Sequence, residues 1–126
     1  MKIALTATGT DLSSQLDPRF GRAARFLVVD TDDMSVQVLE NDGNRNLPRG
    51  AGIQAAAAVA QSGARVLITG NCGPKAFEVL RQAGIDVVTG AAGKISDLIE
   101  QYGSGRLRPA KEPNVQGHWA RGGKRA

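Results

Sequence analysis

The second half of the chain alternates between short β-branched runs and helix-forming segments, with glycine-rich turns between them. Residues 65–69 have strand character, and the turn at residues 70–73 is followed by Pro74, a residue favoured at the first position of a helix. We expect a helix over residues 75–83 and another strand over residues 85–89. A strand, a helix and a second strand in this order favour a parallel crossover, which constrains the chain to an α/β fold.

The first half of the chain begins with strands alone. We expect a buried strand over residues 2–7, and the runs at residues 25–30 and 34–40 have the pattern of an antiparallel hairpin. Helices are expected over the alanine-rich residues 53–61 and over residues 95–102. The sequence therefore predicts an α/β fold with one mixed five-stranded sheet and about three helices.

Composition narrows the class of protein. Of the 126 residues, 41% are hydrophobic but only 4% aromatic, so aliphatic side chains must build the core of one domain. No apolar stretch reaches the roughly 18 residues of a membrane helix, and the first residues do not resemble a signal peptide. We expect a cytoplasmic protein without membrane contact. With Cys72 and His118 as the single cysteine and histidine, a bound metal has to bring most of its own ligands.

Positive charge is concentrated near the C-terminus. Six Lys and Arg residues follow residue 102, against Glu112 alone, so residues 103–126 carry a net +5 and residues 1–102 a net −1. The segment after residue 102 also holds glycines, prolines and few apolar side chains. We therefore expect a domain over residues 1–102 and a basic tail over residues 103–126, most of it disordered.

The turn Gly70-Asn71-Cys72-Gly73 lies between an expected strand and an expected helix. The start of a helix presents free N–H groups and a positive dipole end, so it favours an anion, and glycine lets a ligand approach the backbone closely. A thiol at such a position is expected to have a lowered pKa. The alternative is an ordinary tight turn with a small, partly buried cysteine.

Two further segments have features of anion sites. Arg49-Gly50-Ala51-Gly52 precedes the first expected helix, and its glycines beside a basic residue can cradle an anion, although an ordinary loop-to-helix transition has the same pattern. In Asp17-Pro18-Arg19-Phe20-Gly21-Arg22, Arg19 and Arg22 can fork around an anion. The alternative is a surface loop whose arginines pair with Asp11 or Asp17.

Catalytic residue sets are not evident. His118 lies in the expected tail beside Trp119, so a Cys72–His118 pair is not expected, and residues 2–7 carry no carboxylate for a two-metal nuclease site. We expect a protein that is not an enzyme.

Four segments together resemble the dinitrogenase iron–molybdenum cofactor biosynthesis family. They read DPRFGRA at residues 17–23, GAGIQAA at residues 50–56, LITGNCGPKAF at residues 67–77 and LRQAGI at residues 80–85. The resemblance implies a ribonuclease-H-like fold without nuclease activity. It also implies a small carrier or chaperone, here a stand-alone member, for molybdenum- and iron-containing sulfur clusters, some of them molybdenum–copper–sulfide clusters held non-covalently.

The chain departs from the family pattern at two positions. Many relatives carry histidine where this chain has Arg19, and often where it has Arg49. Because arginine neutralises an anion but does not readily ligate a metal, this departure favours electrostatic capture of a preformed anionic cluster by the domain at residues 1–102. The expected site comprises Arg19, Arg22, Arg49, Gly50, Gly52, Asn71, Cys72 and Gly73, with Cys72 as an optional thiolate ligand.

Other functions are also compatible with these features. Helix starts suit phosphate as well as sulfide, so a nucleotide- or phosphate-binding regulatory module is the main alternative. An interaction protein whose basic tail docks an acidic partner or a nucleic acid is a second alternative, and an enzyme with Cys72 as nucleophile is the last. A protein partner in cofactor assembly or delivery is compatible with the carrier, whereas a nucleic acid is not expected.

Overall fold

The computed structural model describes residues 1–114 and contains five strands and four helices in that range. The strands are β1 (Lys2–Ala7), β2 (Arg25–Asp30), β3 (Ser35–Glu40), β4 (Val66–Ile68) and β5 (Asp86–Val88). The helices are α1 (Asp42–Arg45), α2 (Ala51–Gln61), α3 (Pro74–Gln82) and α4 (Ile95–Gly103).

The strands form one mixed sheet in the order β3-β2-β1-β4-β5. β1 and β2 pair antiparallel, as do β2 and β3, because a short turn joins β2 to β3. β1 and β4 pair parallel, as do β4 and β5, because α2 and α3 carry the chain back between them. The predicted α/β fold with a mixed five-stranded sheet is confirmed.

Side chains on the two faces of the sheet form two separate cores. On one face Phe26 and Leu67 pack with Val59 of α2 and Leu80 of α3. On the other face Leu5 and Ile68 pack with Ile95 and Leu98 of α4. Alternation along β1 and β4 sends neighbouring residues to opposite faces, so both faces of the central strands are buried.

Two features differ from the expectation. The segment expected as a loop after β3 contains the short polar helix α1, which lacks the apolar periodicity that would reveal it in the sequence. Described residues after residue 102 also pack against the domain: Leu107 contacts the second core, and the N–H of Ala110 donates to the carbonyl of Val87 over 2.7 Å. His118 and Trp119 lie outside the described residues.

No helix within residues 1–114 is long and apolar enough to cross a membrane.

Parallel pairing places the carboxyl ends of β1 and β4 at the same edge of the sheet. The loop that follows β1 and the turn that follows β4 therefore meet there, together with the starts of α2 and α3. Open α/β sheets bind ligands at this kind of edge.

Candidate functional site

A cavity of about 320 Å³ lies between the starts of α2 and α3 at this edge. Its lining combines backbone, apolar side chains and one cation. The lining residues are Phe20, Gly21, Gly50, Gly52, Ile53, Asn71, Gly73, Pro74, Lys75 and Ala76.

Both helix starts reach the cavity without a side-chain cap. In α2 the first helical bond runs from the N–H of Gln54 to the carbonyl of Gly50, which leaves the three preceding N–H groups without a partner in the helix. In α3 the first bond runs from Phe77 to Gly73, and Lys75 and Ala76 precede it. Two positive dipole ends therefore face one cavity, which favours an anionic ligand there.

The glycines at the start of α2 are needed for different physical reasons. Gly50 has φ of 77°, a left-handed conformation that side chains disfavour, and it turns the chain into α2. A β-carbon on Gly52 would stand 3.3 Å from the β-carbon of Ala76, so the small residue lets α2 approach α3. Gly21 packs against the backbone of Gly52 and also lines the cavity.

The loop at residues 17–22 is fixed to the turn at residues 70–73 by the backbone. The N–H of Asn71 donates to the carbonyl of Pro18 over 2.7 Å, and the N–H of Phe20 donates to the carbonyl of Asn71 over 3.2 Å. A β-carbon on Gly70 would stand 2.7 Å from Pro18, so glycine is needed for this contact. Together with the contact between Gly21 and Gly52, these contacts bring together all three segments that the sequence indicated.

Arg19 is paired within its own loop. Its Nε and Nη2 each donate over 3.3 Å to the carboxylate of Asp17, and these hydrogen bonds raise the pKa of the guanidinium. The Asp17 side chain is 5% exposed, whereas that of Arg19 is 56% exposed. Of the two alternatives for this arginine, the structure shows the pairing with Asp17, and Arg19 does not line the cavity.

Arg22 and Arg49 also lie outside the cavity lining. Nη1 of Arg22 donates to the carbonyls of Arg45 and Leu47 over 2.6 and 2.7 Å, so this arginine holds the last residue of α1 and the loop that follows it. Arg49 is exposed next to Gly50, and within residues 1–114 its side chain makes no hydrogen bond or ion pair. The structure thus places Gly50, Gly52, Asn71 and Gly73 in the lining of the cavity. The three arginines are not among the lining residues.

The pKa of the Cys72 thiol differs from the expectation. Its side chain is 1% exposed and packs in the first core, and burial raises the pKa of its thiol to about 12. The expected lowering of this pKa by the helix start is therefore wrong, because burial disfavours the charged thiolate. The alternative of a small buried cysteine in a tight turn describes the structure.

Several lining residues were missed from the sequence. Lys75 follows Pro74 in the first turn of α3, and this position at a helix start is the sequence feature that could have marked it as a site residue. Phe20 is buried and Ile53 is 37% exposed, and both look like ordinary apolar residues in the sequence. Within residues 1–114, no three His, Cys, Asp or Glu side chains lie in a group that could hold a metal ion.

Comparison with known proteins identifies the class. The family model for the dinitrogenase iron-molybdenum cofactor matches residues 1–105. An uncharacterised protein of Methanocaldococcus jannaschii is 34% identical over 110 residues, which cover 85% of this chain and 89% of the relative. The chain belongs to the dinitrogenase iron-molybdenum cofactor family, as its sequence motifs indicated.

Solved structures agree with this assignment. The apo form of the orange protein from Desulfovibrio gigas is 43% identical and superposes with a TM-score of 0.88, covering 90% of this chain and 95% of that one. A NifB-like protein from Thermotoga is 32% identical with a TM-score of 0.71, covering 86% of this chain and 91% of that one.

Proposed function

We propose that the chain is a non-catalytic carrier of an anionic, molybdenum-containing metal–sulfur cluster, held non-covalently in the cavity between α2 and α3. Molybdenum–copper–sulfide is the first cluster to test, followed by related molybdenum– or iron–sulfur clusters. Membership in the cofactor family and the likeness to the orange protein support a cluster as the cargo. A carrier of this kind would receive or deliver its cargo through a protein partner in cofactor assembly.

The observation that carries the proposal is the meeting of two uncapped helix starts at one cavity. Their N–H groups can donate hydrogen bonds to several sulfide ligands at once, and their dipoles favour negative charge. Such a cluster keeps its own sulfide ligands, so the protein has to supply charge and hydrogen bonds and does not have to supply metal ligands.

The apolar walls of the cavity favour sulfide over phosphate. Phe20, Ile53 and Ala76 contribute carbon surface beside the N–H donors. A thiometalate spreads its charge over large, soft sulfur atoms, whereas phosphate is a small, strongly hydrated ion whose desolvation in this cavity would cost more. The geometry therefore supports a metal sulfide better than a nucleotide phosphate.

Among the described residues that line the cavity, Lys75 is the one cation. We assign it the direct charge contact that the sequence had assigned to arginines. Arg49 would contribute long-range attraction from the exposed surface, which salt screens, whereas the charge of Arg19 is balanced by the carboxylate of Asp17.

A titration with tetrathiomolybdate, followed by copper(I), tests the carrier function. We expect a coloured complex of fixed stoichiometry, measured by visible absorption and metal content. Lys75→Gln should weaken tetrathiomolybdate binding roughly fivefold, as expected for one charge near a helix start. Lys94→Gln is the matched control, because Lys94 precedes the start of α4 on the opposite face of the sheet.

Two results would overturn the proposal. One is the lack of any saturable complex with tetrathiomolybdate, with or without copper. The other is tighter binding of inorganic phosphate or ATP in parallel calorimetry, which would favour the regulatory phosphate-binding module that the same helix starts can serve.

A further inference from the structure

The chain after α4 forms a strap, residues 106–114, that runs from one face of the sheet to the cavity. Leu107 packs on the core beneath α4, and the N–H of Ala110 donates to the carbonyl of Val87 in the edge strand β5. Nη1 of Arg81 on α3 then donates to the carbonyl of Lys111 over 3.1 Å. The strap lies beyond the residues matched by the family model, and Asn114 lies beside the turn at residues 70–73.

Asn114 joins the strap to this turn through three hydrogen bonds. Its Oδ1 accepts from the N–H of Cys72 over 3.0 Å. Its Nδ2 donates to the carbonyl of Gly70 over 2.9 Å and to Oδ1 of Asn71 over 3.3 Å. A side-chain amide can accept and donate at the same time, which a carboxylate or an aliphatic side chain cannot do.

These bonds fall on the turn that shapes the cavity. Asn71 and Gly73 line the cavity on either side of Cys72, and the backbone of Asn71 also fixes the loop that carries Phe20. Cys72 is almost fully buried, and within residues 1–114 its N–H has Asn114 as its acceptor. Without that acceptor, a partly buried donor would lack its protein partner and the turn would have a reason to rearrange.

We propose that Asn114 is a positioning residue of the anion site. It holds the turn at residues 70–73 in the conformation that sets Asn71 and Gly73 against the cavity. This inference rests on the proposed carrier function, because anion affinity is the property that the positioning serves.

Two variants of the full chain separate the contributions of the amide. Asn114→Ala removes all three bonds, and we expect tetrathiomolybdate affinity to fall about tenfold, the scale of a single lost polar contact. Amide exchange at Cys72, followed by NMR, should rise by a similar or larger factor. Asn114→Asp keeps the acceptor for the N–H of Cys72, so amide exchange at Cys72 should stay near the wild-type rate. The added negative charge should weaken anion binding further than Asn114→Ala does, and more so at low salt.

Two controls exclude general effects. Asn46→Ala removes a comparable amide contact, to the carbonyl of Asp42, away from the turn, and should leave affinity unchanged. Val36→Ala trims a side chain packed against the second core and lowers thermal stability without touching the turn. Its affinity should stay at the wild-type value even where its Tm falls as far as that of Asn114→Ala.

The outcomes distinguish the two proposals. If the wild-type chain binds tetrathiomolybdate and Asn114→Ala binds it equally well, the positioning role is overturned and the carrier function stands. If Asn114→Ala loses affinity only as much as Val36→Ala does at the same Tm, the positioning role is also overturned. If the wild-type chain does not bind, the carrier function fails, and the role of Asn114 fails with it.

Discussion

Gly21 lies so close to Gly52 that a β-carbon on Gly21 would stand 2.8 Å from both the Cα and the N atom of Gly52. The loop before β2 and the start of α2 therefore touch through backbone alone. Because both residues line the cavity, this contact sets the distance between two of its walls. The width of the candidate site thus depends on the lack of a side chain at a position distant in sequence from α2.

We expect Gly21→Ala to disturb this contact. The added methyl group has backbone on its far side, so the start of α2 has to shift, at a cost of about 1–3 kcal/mol in the free energy of unfolding. Urea denaturation followed by circular dichroism measures that change, and a tetrathiomolybdate titration measures the accompanying loss of affinity.

Gly43→Ala provides the control for Gly21→Ala. A β-carbon at Gly43 meets no atom within 4 Å, and this glycine lies in α1, where alanine is favoured. We expect its stability to equal or slightly exceed that of the wild type. An unchanged denaturation midpoint in Gly21→Ala would contradict the close backbone contact.

The regular elements could be predicted from the sequence because local pattern and global fold agree in them. The β-branched runs at β2 and β4 became buried strands, and Pro74 marked the start of α3. The strap could not be predicted in the same way. The strap is held by hydrogen bonds of the Ala110 backbone and of the Asn114 side-chain amide. Neither contact requires a periodic pattern of apolar residues that could be recognised in the sequence.

The glycines of the candidate site could be predicted from the sequence, but the contacts of its charged side chains could not. Glycines at helix starts have a local reason, so Gly50 and Gly73 could be recognised before the structure. The partners of Arg19 and Arg22 could not, because a neighbouring carboxylate and two distant carbonyls compete with any ligand for these guanidinium groups. The pKa of Cys72 depends on burial by α2, α3 and the sheet, which the turn itself does not encode.

The contacts of Arg22 predict a structural role for this side chain. Arg22→Ala removes two hydrogen bonds to the last residue of α1 and the loop that follows it, so we expect a loss of about 1 kcal/mol in stability. Hydrogen exchange at residues 42–48 should quicken, with smaller changes elsewhere. Arg49→Ala is the control, because within residues 1–114 its side chain has no such bonds. Equal exchange in the two variants would show that Arg22 does not hold the loop.

Burial of Cys72 predicts an inert thiol in the folded chain. A pKa of about 12, against 9.0 for the free thiol, means roughly a thousandfold less thiolate at pH 8 than in the unfolded chain. Iodoacetamide should therefore modify native protein very slowly and protein in urea quickly, as read by mass spectrometry. Rapid modification of the native protein would contradict the buried position.

The same pKa has a consequence for stability. Since the folded value is raised, the unfolded chain loses this proton first as the pH rises. The contribution of the thiol to stability is therefore complete below about pH 9 and is lost between about pH 9 and 12. The stability advantage of the wild type over Cys72→Ala should shrink by up to about 1.4 kcal/mol per pH unit in that range. A constant difference in urea denaturation at pH 8, 9.5 and 10.5 would refute the raised pKa.

The position of Asn114 also predicts how the basic C-terminal residues act. Arg121, Lys124 and Arg125 follow Asn114, which lies on the turn beside the cavity. A chain of that length extends at most about 40 Å from its attachment point, so we expect these cations to raise the potential around the site at low ionic strength and to speed the arrival of an anion.

A chain ending at Asn114 tests this effect, since it keeps the strap and every described contact. We expect slower association of tetrathiomolybdate in stopped-flow experiments at low ionic strength, and rates that converge with those of the full chain as salt screens the charges. The dissociation rate should stay unchanged, because the cradle is intact. Equal association rates at low salt would exclude electrostatic steering. Loss of all binding would instead assign the cargo site to residues after 114 and remove it from the cavity.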